Sequence, residues 1–299
     1  MDPKESSFLS RLNHFARPWK LLVGFLFYAL GASMVYYLGD PIDLRVYALG
    51  QAGVTFFQAS SYFLTGYYDA IQPVGTQARP YSPRERREVL GLLQIALSLL
   101  TVGMIMILLL WINGDVSPGG GTVLAFIFAL FLLYGIPPVR LVYSGYGELA
   151  EAILLANLIP AFCFVLQTGA LHRLLALITF PLTGLYLAML ILVSFRSYSE
   201  DMKKLRGTLL LRIGWQRGMV LHNLLILAAY ALIAGAALLG LPWRLTWPAL
   251  LTLPLGVFQI WQMIRVADGE KPPWRLMTLV AAALPVLTVY FLIFTLITE

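Results

Sequence analysis

VLGLLQIALSLLTVGMIMILLLWI, residues 89–112, is the stretch on which the fold turns. It runs for 24 residues without a charged side chain. As a helix rising 1.5 Å per residue it reaches about 36 Å, enough to cross a hydrocarbon core roughly 30 Å thick. A bilayer interior offers no partner to unpaired backbone groups, so a run of this kind must be helical. Eight further runs share its character: 19–38, 45–68, 121–138, 147–168, 173–195, 217–240, 246–265 and 275–297. Together they predict an all-α, polytopic membrane protein with nine transmembrane helices around a central cavity, a single domain over 1–299. Composition agrees, with 59% apolar residues, 12% charged and a mean hydropathy of +0.78. A soluble domain carries about 25% charged residues.

The formal charge of +6 comes from 21 Lys and Arg against 15 Asp and Glu. The basic residues lie in short gaps between apolar runs, not in a stripe with interleaved aromatics, which argues against a nucleic-acid partner. Lys and Arg gather in cytoplasmic loops, and the nine-span reading places only Arg45, Arg173 and Arg244 on the opposite side. That asymmetry predicts a cytoplasmic N-terminus, an external C-terminus and residence in a bacterial cytoplasmic membrane. The polar start, 1–17, is too long and mixed for the n-region of a signal peptide. One cysteine, Cys163, excludes an intrachain disulfide or a cysteine-based metal site.

Two inner loops, about 69–88 and 196–216, hold most of the charge and follow the second and sixth spans. The first region reads Leu64-Thr65-Gly66-Tyr67-Tyr68-Asp69-Ala70-Ile71-Gln72-Pro73, then Ala78-Arg79-Pro80. The second reads Arg196-Ser197-Tyr198-Ser199-Glu200-Asp201-Met202-Lys203-Lys204-Leu205-Arg206-Gly207-Thr208-Leu209. Between them stand Pro137-Pro138-Val139-Arg140-Leu141, Tyr143, Gly145 and Gly147-Glu148-Leu149, and Arg17-Pro18 precedes the first span. These stretches resemble the signatures of the UbiA superfamily of intramembrane prenyltransferases, an Asn-Asp-x-x-Asp and an Asp-x-x-x-Asp each followed by basic residues. The middle loop looks like that of the menaquinone-pathway branch.

The resemblance implies transfer of a polyprenyl group from its diphosphate to an aromatic acceptor. In that chemistry carboxylate-held Mg2+ neutralises the leaving group and Lys and Arg complete the anion cage. It implies Asp69 and Asp201, with Glu200 as a substitute, for metal, and Arg79, Arg140, Lys203, Lys204 and Arg206 for diphosphate. The sequence departs from the pattern where Gly66 and Ser197 stand in place of the leading acids, and neither replaces a charged magnesium ligand. Two readings stay open. Either metal-dependent transfer is lost or weakened and the protein keeps a cavity for an isoprenoid, quinone or lipid, alone or as a subunit of a membrane complex, or it is an active Mg2+-dependent transferase of quinone biosynthesis.

Other features have plainer explanations beside the functional ones. The basic runs also fit the positive-inside pattern and attraction to anionic headgroups. Phe56, Phe57, Gln58, Tyr62, His222 and Asn223 are candidate cavity residues, although a polar side chain inside a span more often bonds a neighbouring helix. The aromatics could face an allylic cation. Secondary transport is disfavoured because the runs show no paired intramembrane charges or clearly broken helices.

Overall fold

The computed structural model describes residues 17–71, 82–203 and 207–299. Each of the nine apolar runs lies largely on helix. The elements are α1 (Pro18–Tyr37), α2 (Leu44–Ile71), α3 (Pro83–Ile112), α4 (Pro118–Gly135), α5 (Gly147–Thr168), α6 (Arg173–Lys203) and the short α7 (Leu209–Ile213), then α8 (Trp215–Leu238), α9 (Trp243–Leu250), α10 (Leu253–Ala267) and α11 (Trp274–Thr298). There is no strand among the described residues, only an isolated bridge between Ser144 and Gly207.

Eight segments are long and apolar enough to cross a membrane: α1, most of α3, α4, α5, α6, α8, α9 with α10, and α11. The remaining long helix, α2, has 28 residues but is more polar. Its Gln51, Gln58, Ser60, Ser61 and Thr65 are all buried. Three of them bond other helices: Gln58 Nε2 donates to the Lys20 carbonyl of α1, and Ser60 Oγ donates to the Ala96 carbonyl of α3 and Ser61 Oγ to the Phe131 carbonyl of α4, the last two at 2.8 Å. Hydropathy therefore understates a helix whose polar face is turned to other helices.

Prolines shape two of the segments. Pro254 has no amide hydrogen for the Leu250 carbonyl, and the expected 246–265 run divides there into α9 and α10. Thr252 lies in the gap, accepts from Tyr230 Oη at 2.9 Å and donates to the Ala249 carbonyl at 2.7 Å. The sequence-based argument that no span is broken does not hold. Within α5 the residues Leu154–Leu158 form a π turn just before Pro160, the wider i→i+5 spacing accommodating an imino acid that cannot donate.

Helix α1 packs on α5 and α11, α6 packs on α8 and α11, and α2 packs on α3. Two glycines set the approach of α1. At Gly31 a Cβ would stand 2.4 Å from the Pro160 carbonyl oxygen, and at Gly24 it would stand 2.3 Å from Gln58 Oε1. Both contacts bring backbone close to a neighbour, so α5 and α2 meet α1 along its N-terminal half and middle. The core between these helices is built on Phe27, Tyr28, Phe162, Phe164 and Tyr186.

Candidate functional site

The mouth forms where α2 ends. Asp69, in the last turn of α2, accepts from Arg140 Nη2 at 2.6 Å. Arg140 belongs to the loop after α4 and has φ 39, and its guanidinium lies 4.7 Å from the Tyr143 ring centre. A left-handed backbone costs a residue with a Cβ about 1–2 kcal/mol. Among the described residues only Arg17 (φ 44) and Arg140 adopt it without being glycine.

The same loop reaches the second signature. Gly145 N donates to the Gly207 carbonyl at 2.7 Å. Glu148, at the start of α5, accepts from Ser194 Oγ at 2.9 Å and from Leu209 N at 3.1 Å. Arg212 stacks 4.2 Å from the Tyr146 ring centre and donates to the Ser144 carbonyl. Residues 136–148 thus join the end of α2 to the segment after α6. Asp201, near the end of α6, is buried and accepts from Ser197 Oγ at 2.6 Å. The serine where the resemblance expects an acid acts as a hydrogen-bond donor to the acid that remains. Glu200 and Lys203 are exposed on the last turn of α6. Arg79, Lys204 and Arg206 lie outside the described residues.

A second polar centre sits deeper. Tyr62 precedes Asp69 by seven residues on α2, which places it about 10 Å farther in at 1.5 Å per residue. At that level Lys20 Nζ donates to both oxygens of Glu151, at 2.5 and 2.7 Å. The Tyr134 hydroxyl donates to Glu151 Oε2 at 2.9 Å and the Tyr186 hydroxyl to Oε1 at 3.3 Å. Gln58 Nε2 donates to the Lys20 carbonyl and to Tyr62 Oη, both at 2.9 Å. Three helices, α1, α4 and α6, therefore aim polar groups at one buried carboxylate on α5. Arg17, just ahead of α1, stands 5.4 Å from the Tyr62 ring centre. Burial opposes its charge, but nearby Tyr134 and Glu151 outweigh that and raise its pKa above the ordinary value. The Lys20 side chain is 21% exposed and that of Glu151 6%, so the centre opens past Lys20.

Sequence reading found Gln58 and Tyr62 but missed Lys20, Tyr134, Glu151 and Tyr186. Lys20 and Glu151 are 131 positions apart. The available signal was a charge inside each of two apolar runs, where ionisable groups are costly and face partners. The statement that no intramembrane charges pair is corrected by this ion pair. The other candidate cavity residues lie elsewhere. Phe57 packs edge-on against Phe128 with ring centres 5.3 Å apart, between α2 and α4, and Phe56 is half-buried. His222 is buried on α8 and its Nδ1 meets Asn223 Oδ1 at 3.0 Å, so its recorded bond is to its own neighbour.

The described residues do not fit a magnesium cluster. Among the described residues no group of three or more His, Cys, Asp or Glu side chains is placed to hold a metal ion. Outside the described residues, 72–81 and 204–206 contain none of these four types, while 1–16 contain Asp2, Glu5 and His14. Asp69 is already engaged by a guanidinium, and Ser197 supplies no charge.

The sequence profile of the UbiA prenyltransferase family matches residues 25–282. This chain belongs to that family. No curated protein matches the chain in sequence. Among solved structures, a UbiA homologue from Archaeoglobus fulgidus bound to GPP and Mg2+ superposes with a TM-score of 0.68 at 16% identity, covering 97% of this chain and 100% of the relative. A structure of digeranylgeranylglyceryl phosphate synthase gives 0.67 at 14% identity, covering 98% and 99%. The apo UbiA homologue from Aeropyrum pernix K1 gives 0.63 at 15% identity, covering 91% and 97%. At these identities the likeness establishes the UbiA fold.

Proposed function

We propose that this UbiA-family protein binds an isoprenoid ligand through a basic cytoplasmic mouth and an apolar interior, and that magnesium-dependent prenyl transfer is lost or weakened in it. The single observation that carries this reading is the Arg140–Asp69 ion pair. In it a fixed protein cation occupies the carboxylate that the family resemblance would give to a metal. The missing leading acids at Gly66 and Ser197 act in the same direction. Arg140 beside Tyr143, with Arg79, Lys203, Lys204 and Arg206 from the flanking loops, supplies cations for a phosphate or diphosphate head. The prenyl tail lies between helices.

The resemblance of the middle loop points to a ligand of the menaquinone branch, an isoprenoid quinone or its prenyl diphosphate precursor. The basic asymmetry supports a cytoplasmic N-terminus, an external C-terminus and a bacterial cytoplasmic membrane, with nine spans once α2 is counted. A protein that binds without turnover fits service as a subunit of a membrane complex. The second reading, active Mg2+-dependent transfer to an aromatic acceptor, is favoured by the survival of Asp69 and Asp201.

A prenyl-transfer assay on the purified protein with Mg2+, farnesyl diphosphate and a panel of aromatic acceptors separates the two. The proposal expects no turnover by the wild type and a gain of turnover in the Gly66→Asp/Ser197→Asp double variant. Turnover by the wild type that disappears in Asp69→Ala or Asp201→Ala would establish the second reading instead.

A further inference from the structure

Positions three and four apart share a helix face, so α9 and its final turn present Arg244, Trp247 and Leu251 together. The end of α11 faces them with Tyr290, Phe294 and Thr298. Between the two stripes runs an open groove of about 390 Å³, within the roughly 300–1,000 Å³ of ligand sites. It lies away from the mouth: the Trp215 and Trp274 rings pack 6.5 Å apart beside α7, so α11 starts at the mouth end of the bundle and finishes at the other. Trp247, Tyr290 and Phe294 are about half exposed, which leaves their outer faces to the bilayer. Trp243 and Trp247 sit where an interfacial aromatic belt belongs. Arg244 is then at headgroup level, and Tyr290, eight residues before Thr298, reaches about 12 Å deeper. The Arg244 side chain is 79% exposed, that of Glu299 34%, and Nη1 stands 3.7 Å from Oε2. That is beyond the roughly 2.7–2.9 Å of a charge-assisted hydrogen bond, and an exposed pair of this kind adds little to folding.

We propose that the groove between α9 and the end of α11 binds one phospholipid with a zwitterionic, primary-amine headgroup: Arg244 takes the phosphate, Glu299 takes the ammonium, and Trp247, Tyr290 and Phe294 line the path of an acyl chain. The site is on the lipid-facing flank of the bundle and is independent of the isoprenoid-binding reading. Charge complementarity selects the head. A phosphate and an ammonium joined by two methylenes can lie along an acid and a base that stand side by side, each charge against its opposite. An anionic head also offers its phosphate to Arg244, but it brings no cation for Glu299 and sets a like charge beside that carboxylate. A choline head carries the positive charge without an N–H, whereas a primary ammonium has three donors for the carboxylate oxygens. Guanidinium is suited to phosphate through its paired donors. Below the head, the aromatic walls give an acyl chain a fixed apolar surface at the depth where hydrocarbon begins.

The test is a competition among dioleoyl phosphatidylethanolamine, phosphatidylcholine and phosphatidylglycerol, which share their acyl chains and differ only in the head. The full chain is purified in mild detergent, equilibrated with equal amounts of the three, and the lipid retained is counted by native mass spectrometry. Wild type should retain phosphatidylethanolamine at least about fivefold over either competitor. Glu299→Gln should bring its ratio to phosphatidylcholine below about twofold, and Arg244→Gln should lower its retention at least about fivefold. Both side chains reach the surface, so neither variant threatens the fold. Arg173→Gln, which alters an exposed arginine at the same end of the bundle, should behave as wild type. Equal retention of the three lipids, or phosphatidylglycerol retained as well as phosphatidylethanolamine, overturns the proposal. So does wild-type retention in Arg244→Gln, an unchanged ratio in Glu299→Gln, or a loss in Arg173→Gln that matches the loss in Arg244→Gln.

Discussion

Removing Glu151 tests how the deeper centre is held. Glu151→Leu strands the Lys20 ammonium and takes the acceptor from two phenol hydroxyls. Deleting one partner of a buried pair costs about 3–5 kcal/mol. Each orphaned hydroxyl adds to this, which places the variant near the upper end, about 5 kcal/mol. Lys20→Met costs less, about 3 kcal/mol, because the lysine side chain is 21% exposed and the carboxylate keeps both phenol donors. The Lys20→Met/Glu151→Leu double variant removes both charges and falls well short of the sum, giving a coupling energy of about 3 kcal/mol in the double-mutant cycle. Cys163 is the only cysteine, free and buried on the same helix as Glu151, and serves as the reporter. Thermal unfolding in detergent is followed by its labelling with a thiol-reactive fluorophore. The single variants should unfold on the order of 10 °C earlier than wild type. Single variants within about 0.5 kcal/mol of wild type, or strict additivity in the double variant, would refute the pairing.

Three further outcomes follow from the geometry. Gly31→Leu should reduce stability by about 3 kcal/mol or abolish folded yield, because its Cβ meets the Pro160 carbonyl; the same thiol assay reads it, and wild-type stability would contradict the α1–α5 contact. Ser197→Ala should cost about 1 kcal/mol through loss of the bond to Asp201, and an unchanged unfolding midpoint would show that this bond contributes nothing. Arg140→Ala should weaken farnesyl diphosphate binding about tenfold or more through loss of a charge-assisted contact, measured by dialysis with labelled ligand, and undiminished affinity would remove Arg140 from the anion site.

The helices were legible because span length and apolarity are properties of contiguous sequence. Helix α2 shows the limit of that signal. Its buried Gln58, Ser60 and Ser61 lower its apparent hydropathy, and only the partners that they bond on other helices explain why a polar residue is tolerated there. The break between α9 and α10 was visible as Pro254, but a proline inside an apolar run does not announce whether the helix bends or stops. At the mouth, motif spacing singled out Asp69, Arg140 and Asp201. Spacing could not show that Arg140 would take Asp69 as its partner from 71 positions away. The deeper centre was least legible. Lys20, Tyr134, Glu151 and Tyr186 carry no shared motif and meet only because α1 and α5 run side by side, with Gly31 against Pro160 above and Lys20 against Glu151 below.

Under the proposed function, Arg140 and its basic neighbours, and not a carboxylate-held divalent ion, receive the anionic head of the ligand. Farnesyl diphosphate binding to the full chain in nanodiscs, compared in excess EDTA and in millimolar Mg2+, tests this directly. The affinities should agree within about threefold, under 1 kcal/mol, in the two conditions. Binding seen only with Mg2+ and lost in Asp69→Asn or Asp201→Asn would contradict it.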